Sequence, residues 1–128
     1  MKYIVRGNPI PLARHRIRGK RHYNPQAEIM GRVSYELYSQ ARLQPIINAA
    51  LALSVVFYMP IPATWSKKKK EHMLGKPHNA RPDLSNLIKF IEDCANEVLY
   101  TDDRLIVGIN ARKIYSDNPR TEIEVEPV

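Results

Sequence analysis

Leu51 to Met59, reading Leu-Ala-Leu-Ser-Val-Val-Phe-Tyr-Met, is an apolar and β-branched stretch closed off by Pro60 and Pro62. A run of that length and composition fits a buried strand. It falls well short of the roughly 20 residues that a helix needs to cross a bilayer. Whatever else the chain does, it must build a sheet around this segment and cover it.

The flanking sequence supplies the cover. Lys2 to Arg6 reads as an opening strand ended by Gly7-Asn8-Pro9. The next stretch carries Arg14, His15, Arg16, Arg18, Lys20, Arg21 and His22 before Tyr23, and its Pro and Gly content argues for an irregular loop. After Asn24-Pro25, the positions Ile29, Val33, Leu37, Tyr38 and Ala41 recur every three to four residues, predicting a helix over about residues 26–43, slightly weakened by Gly31. Between Ile61 and Ala80, Ser66 is placed to cap a short helix running to Leu74 and closed by Gly75 and Pro77. A second amphipathic helix is predicted over about residues 83–99, burying Leu84, Leu87, Ile88, Ile91, Ala95, Val98 and Leu99. Two strands follow, at Leu105–Tyr115 and Thr121–Val125, with Asp117-Asn118-Pro119 as the turn between them. The order is β-α-β-α-β-β: an α/β (α+β) fold with a small mixed sheet packed by two helices. At 128 residues the chain is expected to be a single domain, 1–128.

Charge is distributed unevenly. Residues 1–81 hold 15 Lys/Arg against 3 Asp/Glu, whereas residues 82–128 hold 5 against 10. A polyanion would meet the basic half first, while the acids gather elsewhere. That asymmetry suits nucleic acid plus metal better than a uniform basic coat. The start, Met1-Lys2-Tyr3-Ile4-Val5, has no signal-peptide pattern, so a cytoplasmic protein with no membrane partner is expected. The lone cysteine, Cys94, excludes an internal disulfide and a multi-cysteine zinc site, and reads as a thiol buried on a helix.

The densest chemistry is Arg81-Pro82-Asp83-Leu84-Ser85-Asn86-Leu87-Ile88-Lys89, followed by Asp102-Asp103. Each acid has an ordinary explanation. Asp83 stands where a carboxylate can cap a helix, Lys89 and Asp93 are spaced for a surface ion pair, and Asp102-Asp103 occupies a turn that favours aspartate. The chemical alternative is that carboxylates supply hard oxygen ligands to Mg²⁺ while Lys89 stabilises charge at phosphorus, giving phosphodiester hydrolysis. A helix of about sixteen residues is roughly 24 Å long, so convergence of these acids requires the strand leaving Asp103 to run back along the helix.

Arg81 to Lys89, the helix continuing to Asp93, and Leu99-Tyr100-Thr101-Asp102-Asp103 together resemble the signature of the RusA family of Holliday-junction resolvases. The resemblance extends loosely over nearly the whole chain. It implies a small, homodimeric, Mg²⁺-dependent endodeoxyribonuclease (Mn²⁺ being an alternative ion), of a kind often carried by prophages, that cuts four-way junctions in DNA recombination and repair. Carried over by position, Asp83, Lys89 and Asp103 are the catalytic residues, and Asp83 and Asp103, with Asp102 as a lesser candidate, are the metal ligands. Arg14, Arg16, Arg18, Lys20, Arg21, Lys67, Lys68, Lys69, Lys70 and Arg81 are the implied DNA-binding residues. Tyr23 and Trp65 either stack on bases or pack against the fold.

One position departs from the family pattern. A further aspartate is expected two residues after the first, and here it is Ser85. A hydroxyl can hydrogen-bond a metal-bound water but is a poor substitute for a carboxylate ligand, which leaves Ser85 and Asn86 supporting roles. Two alternatives follow: a catalytically weakened branched-DNA-binding protein, and a scaffold whose acids only cap and turn.

Overall fold

The computed structural model of the chain describes residues 1–13, 16–18 and 21–128, and for residues 16–18 and 21–23 the backbone alone. Along the chain come β1 (Lys2–Arg6), β2 (Arg16–Arg18), β3 (Arg21–Tyr23), α1 (Ala27–Ala41), β4 (Leu51–Pro60), α2 (Lys67–Met73), α3 (Leu84–Ala95), β5 (Ile106–Ser116) and β6 (Arg120–Pro127), with a 3-10 turn at Asp103–Leu105 before β5. The principal elements follow the expected β-α-β-α-β-β order within an α+β fold. The basic stretch differs from expectation: it contains a small antiparallel ribbon in which Arg16 pairs Tyr23 and Arg18 pairs Arg21.

Four strands form one mixed sheet in the order β1-β6-β4-β5. β4 runs parallel to β5 and antiparallel to β6, and β1 lies antiparallel to β6. The turn after β5 therefore does not close a hairpin. It carries the chain across the end of β4, so that β5 and β6 flank the apolar strand on either side.

Burial along β4 alternates. Leu51, Leu53, Val55, Phe57 and Met59 are buried, while the residues between them are half-buried or exposed. Among the described residues, α1 packs on β1 and on α3, and α3 packs on β5. Tyr3, Val5, Ile123 and Val125 join the β4 side chains, Val33 and Leu37 of α1, and Leu87, Phe90 and Ile91 of α3 in a single core cluster. Ser34 Oγ donates to the Cys94 carbonyl at 2.8 Å, tying the two helices together. Cys94 is buried on α3 as expected, and burial pushes its thiol up to about 12. On the opposite face the even-numbered positions carry charge: Lys2 and Arg120 both meet Glu122 at 2.8 Å, and the Arg120 guanidinium lies 3.7 Å over the Tyr58 ring.

α3 stops at Ala95, four residues before the predicted end. Glu97 adopts φ 65°, and its N–H donates to the Tyr100 carbonyl at 2.8 Å, folding the chain back on itself. Leu99 and Tyr100 then drop into the core as part of the turn, and the Tyr100 hydroxyl donates to the Glu92 carbonyl at 2.9 Å. Their apolar periodicity continued that of the helix because both segments face the same core. Among the described residues, no helix is long and apolar enough to cross a membrane.

Candidate active site

Asp83 stands immediately before α3 with extended backbone angles, φ −65° and ψ 138°, the position of a capping residue. Its side chain makes no capping hydrogen bond. The carboxylate is exposed, so the ordinary explanation for an aspartate here is not realised. The three sequence-predicted supporting or catalytic positions further into the helix are placed on its outer side: Ser85 and Lys89 are exposed and Asn86 is half-buried.

The loop that delivers Asp83 is fixed by β5. The Gly75 N–H donates to Tyr115 O at 2.9 Å, Tyr115 N–H to Lys76 O at 3.0 Å and His78 N–H to Lys113 O at 3.0 Å, which lays residues 75–78 along the outer edge of that strand. The Lys113 ammonium then donates to the carbonyls of Ala80 and, at 2.6 Å, Pro82, bracketing Arg81 and its cis peptide bond to Pro82. Ile109, Ala111, Lys113 and Tyr115 share a sheet face with Leu53, Val55, Phe57 and Met59. A lysine at that inward register is the one signal in the sequence that identifies Lys113 as a structural anchor.

On the other side, the Leu12 N–H donates to the Asn86 carbonyl at 2.9 Å. Gln26 bridges the two ends of the basic ribbon: its Oε1 accepts from Ala13 N–H at 2.7 Å, its Nε2 donates to Pro11 O at 2.9 Å, and its own N–H donates to Asn24 Oδ1 at 2.9 Å. The ribbon is thus rooted beside the first turn of α3. Arg14 and Lys20 lie outside the described residues, as do the side chains of Arg16, Arg18 and Arg21. Pro11, Leu12, Arg81, Pro82, Asp83 and Asn86 together line a hollow of about 380 Å³.

The second acidic pair is placed differently. Asp102 caps the 3-10 turn, with Oδ1 accepting from Arg104 N–H at 2.9 Å and Oδ2 lying 3.6 Å from Arg104 Nε, and the backbone hydrogen bond first of all holds its carboxyl below the usual range. Asp103 is exposed. Burial, then the Asp103 and Asp93 carboxylates, push Glu92 up, while Lys89 pulls it down. The charge of Asp103 is thus felt at Glu92, which lies roughly 14 Å along the helix from Asp83. β5 does run back along α3, and it brings Lys113, not an acid, to the helix start. Lys67 to Lys70 form the first turns of α2, where Ser66 accepts the expected capping bond from Lys69 N–H at 3.2 Å.

Among the described residues, no group of three or more His, Cys, Asp or Glu side chains is gathered to hold a metal ion. Mg²⁺ characteristically takes one or two carboxylates and completes its shell with water and substrate phosphate oxygens, so a preformed cage is not a requirement. Asp83, with its unused exposed carboxylate, and Asp103, beside Asp102, are donors of the right class.

The sequence model of the family Endodeoxyribonuclease RusA matches residues 6–126. The uncharacterized protein YqaN of Bacillus subtilis strain 168 is 34% identical over 138 aligned positions, covering 100% of this chain and 96% of that protein. The crossover junction endodeoxyribonuclease rusA of Lactococcus phage r1t is 33% identical over 112 positions, covering 87% of this chain and 75% of the phage protein.

Proposed function

Because the chain belongs to the RusA family of endodeoxyribonucleases, we propose that it resolves four-way DNA junctions by metal-assisted phosphodiester hydrolysis, with Asp83, Lys89 and Asp103 as its catalytic residues. The observation that carries this reading is Asp83 itself. A carboxylate at a helix start that declines the capping bond open to it, and faces a hollow shared with Arg81, is free to act on a ligand. The carboxylates of Asp83, and of Asp103 with Asp102 past the other end of α3, would hold Mg²⁺ or Mn²⁺, which would neutralise phosphate charge and acidify an attacking water. Arg81 holds the phosphate chain beside Asp83, Lys89 offers an exposed ammonium on the same helix, and the basic stretch at 14–22 and Lys67 to Lys70 grip the flanking backbone.

A homodimer fits both the two-fold substrate and the sheet edges. The free edge of β1 is capped by α1, since Ile4 exchanges hydrogen bonds with Gln40 at 2.9 and 2.7 Å and Arg6 N–H donates to Glu36 at 3.1 Å. Residues 75–78 cover the far half of β5, leaving its first half open with Val107 65% and Ile109 45% exposed. An open, apolar edge is the part of a sheet that a second copy pairs with.

A second reading, a junction binder with weakened catalysis, draws on Ser85 and on the absence of a three-donor group among the described residues. Both are tested on a labelled synthetic four-way junction with Mg²⁺ or Mn²⁺. Symmetric nicks by the wild type that fall at least about 100-fold in Asp83→Asn establish the resolvase. An inert wild type that shifts the junction in a gel and is rescued by Ser85→Asp establishes the binder.

A further inference from the structure

Adjoining the Asp83 hollow is a larger one, of about 690 Å³, that the acidic chemistry leaves unused. The two share Pro11, Arg81 and Pro82 as a common wall. The far wall is aromatic. The Tyr115 ring lies 5.2 Å from Trp65 and 4.7 Å from His78, and Lys69 Nζ stands 4.2 Å over Trp65. The hollow has the size of small-ligand sites, roughly 300–1,000 Å³.

Its polar lining includes a buried imidazole. His78 is only 8% exposed, and its Nδ1 is buried without a hydrogen-bond partner. A buried imidazole nitrogen left unpaired is costly and calls for an explanation. Burial first, then the charge of Lys113, holds His78 below its ordinary range. Asn8 adds an amide at the rim, and Arg81 and Lys69 add cations suited to the phosphates on either side of a nucleotide.

We infer that this hollow is a nucleobase pocket: it takes an unpaired base from the strand whose phosphate lies at Asp83, between the Trp65, His78 and Tyr115 wall and the Pro82 side, and so selects which junction sites are cut. The proposal deepens the resolvase reading and rests on it for the identity of the strand. A strand held by its phosphates in the smaller hollow has its next base directed at the larger one, because Arg81 belongs to both. Unpaired bases are available at a branch point without the full cost of extrusion from a duplex. Trp65, the most exposed of the three rings, accepts any base through its π-face, whereas the Asn8 amide discriminates by hydrogen bonding and His78 holds the wall behind it.

Trp65 is the sole tryptophan, which makes its fluorescence a direct report on the pocket. The wild type is titrated with a four-way junction in EDTA, with an intact duplex of the same sequence, and with each of the four deoxynucleoside monophosphates. In parallel, cut positions are mapped on a panel of junctions with mobile cores for the wild type, Trp65→Ala, Trp65→Phe and His78→Gln. The expected result is a saturable drop in emission with the junction and not with the duplex. Trp65→Ala and His78→Gln should then lose about tenfold in selectivity between the best and the average cut site, with Trp65→Phe keeping most of it. Unchanged emission on a bound junction, with the same cut distribution in every variant, would overturn the pocket. A wild type that neither binds nor cuts junctions sinks the resolvase reading instead; quenching by a monophosphate would still uphold a base pocket, and its absence would remove that too.

Discussion

Asp83 occupies a capping position without capping, and this separates its contributions to stability and to chemistry. Losing a capping bond ordinarily costs about 1 kcal/mol, but here there is no side-chain bond to lose. Asp83→Ala is therefore expected to change unfolding free energy by less than about 0.5 kcal/mol in a urea titration while removing cleavage. A stability loss of the ordinary capping size with cleavage intact would return Asp83 to a structural role. His78 is the complementary case, a group whose protonation the fold resists. Its folded value lies below the ordinary 6.5, so the unfolded chain binds the proton first. Stability is full above the unfolded value, declines as pH falls through about 6.5, and stops declining once pH passes below the folded value. Thermal unfolding from pH 8 to pH 5 should show that decline, and His78→Gln should flatten it.

At the scale of elements, β5 organises the site. Its far half anchors residues 75–78, its Lys113 clamps the carbonyls on either side of Arg81, and its near half is open. Charge-assisted hydrogen bonds of this kind contribute roughly 1.5–3 kcal/mol, so Lys113→Met should destabilise the chain by about that much and cut activity through a displaced Asp83. Lys113→Arg, which keeps the donors, should recover most of both, as read by denaturant midpoint and junction cleavage. The open half makes a separate prediction. On the proposed homodimer, replacing Ile109 by lysine puts a charge on the paired edge, and light scattering at micromolar concentration should show dimer giving way to monomer with little loss of monomer stability. A wild type that is already monomeric at that concentration counts against the homodimer.

For the whole molecule, the question is how much of its basic surface meets DNA. Lys67 to Lys70 are consecutive on α2, and at 3.6 residues per turn four consecutive side chains point all round the helix. Lys69 is already over Trp65. About two of the four can face one DNA backbone, so replacing all four by glutamine should lower the slope of log affinity against log salt by about 2, well below the value for four contacts. Much of this organisation was legible in the chain. The opening strand, both long helices, the short capped helix, the last two strands, the buried Cys94 and the family signature around Asp83 all follow from local periodicity and motif, because each depends on neighbours within a few residues. The basic ribbon was not legible, since two three-residue strands pair too briefly to impose a pattern and their flanking Pro and Gly read as loop. Nor was the early end of α3, where a turn and a helix share one apolar rhythm. The amino-acid sequence by itself determined the order of the principal strands and helices, which half carries the cations and the family signature around Asp83. Only the tertiary structure decided that β4 buries one face and is flanked by β5 and β6, that Asp83 leaves its cap unmade, that Lys113 takes the helix start, and that Trp65, His78 and Tyr115 line one side of a hollow. Those outcomes depend on strand order and on contacts between residues distant in sequence, for which no local spacing carries a signal.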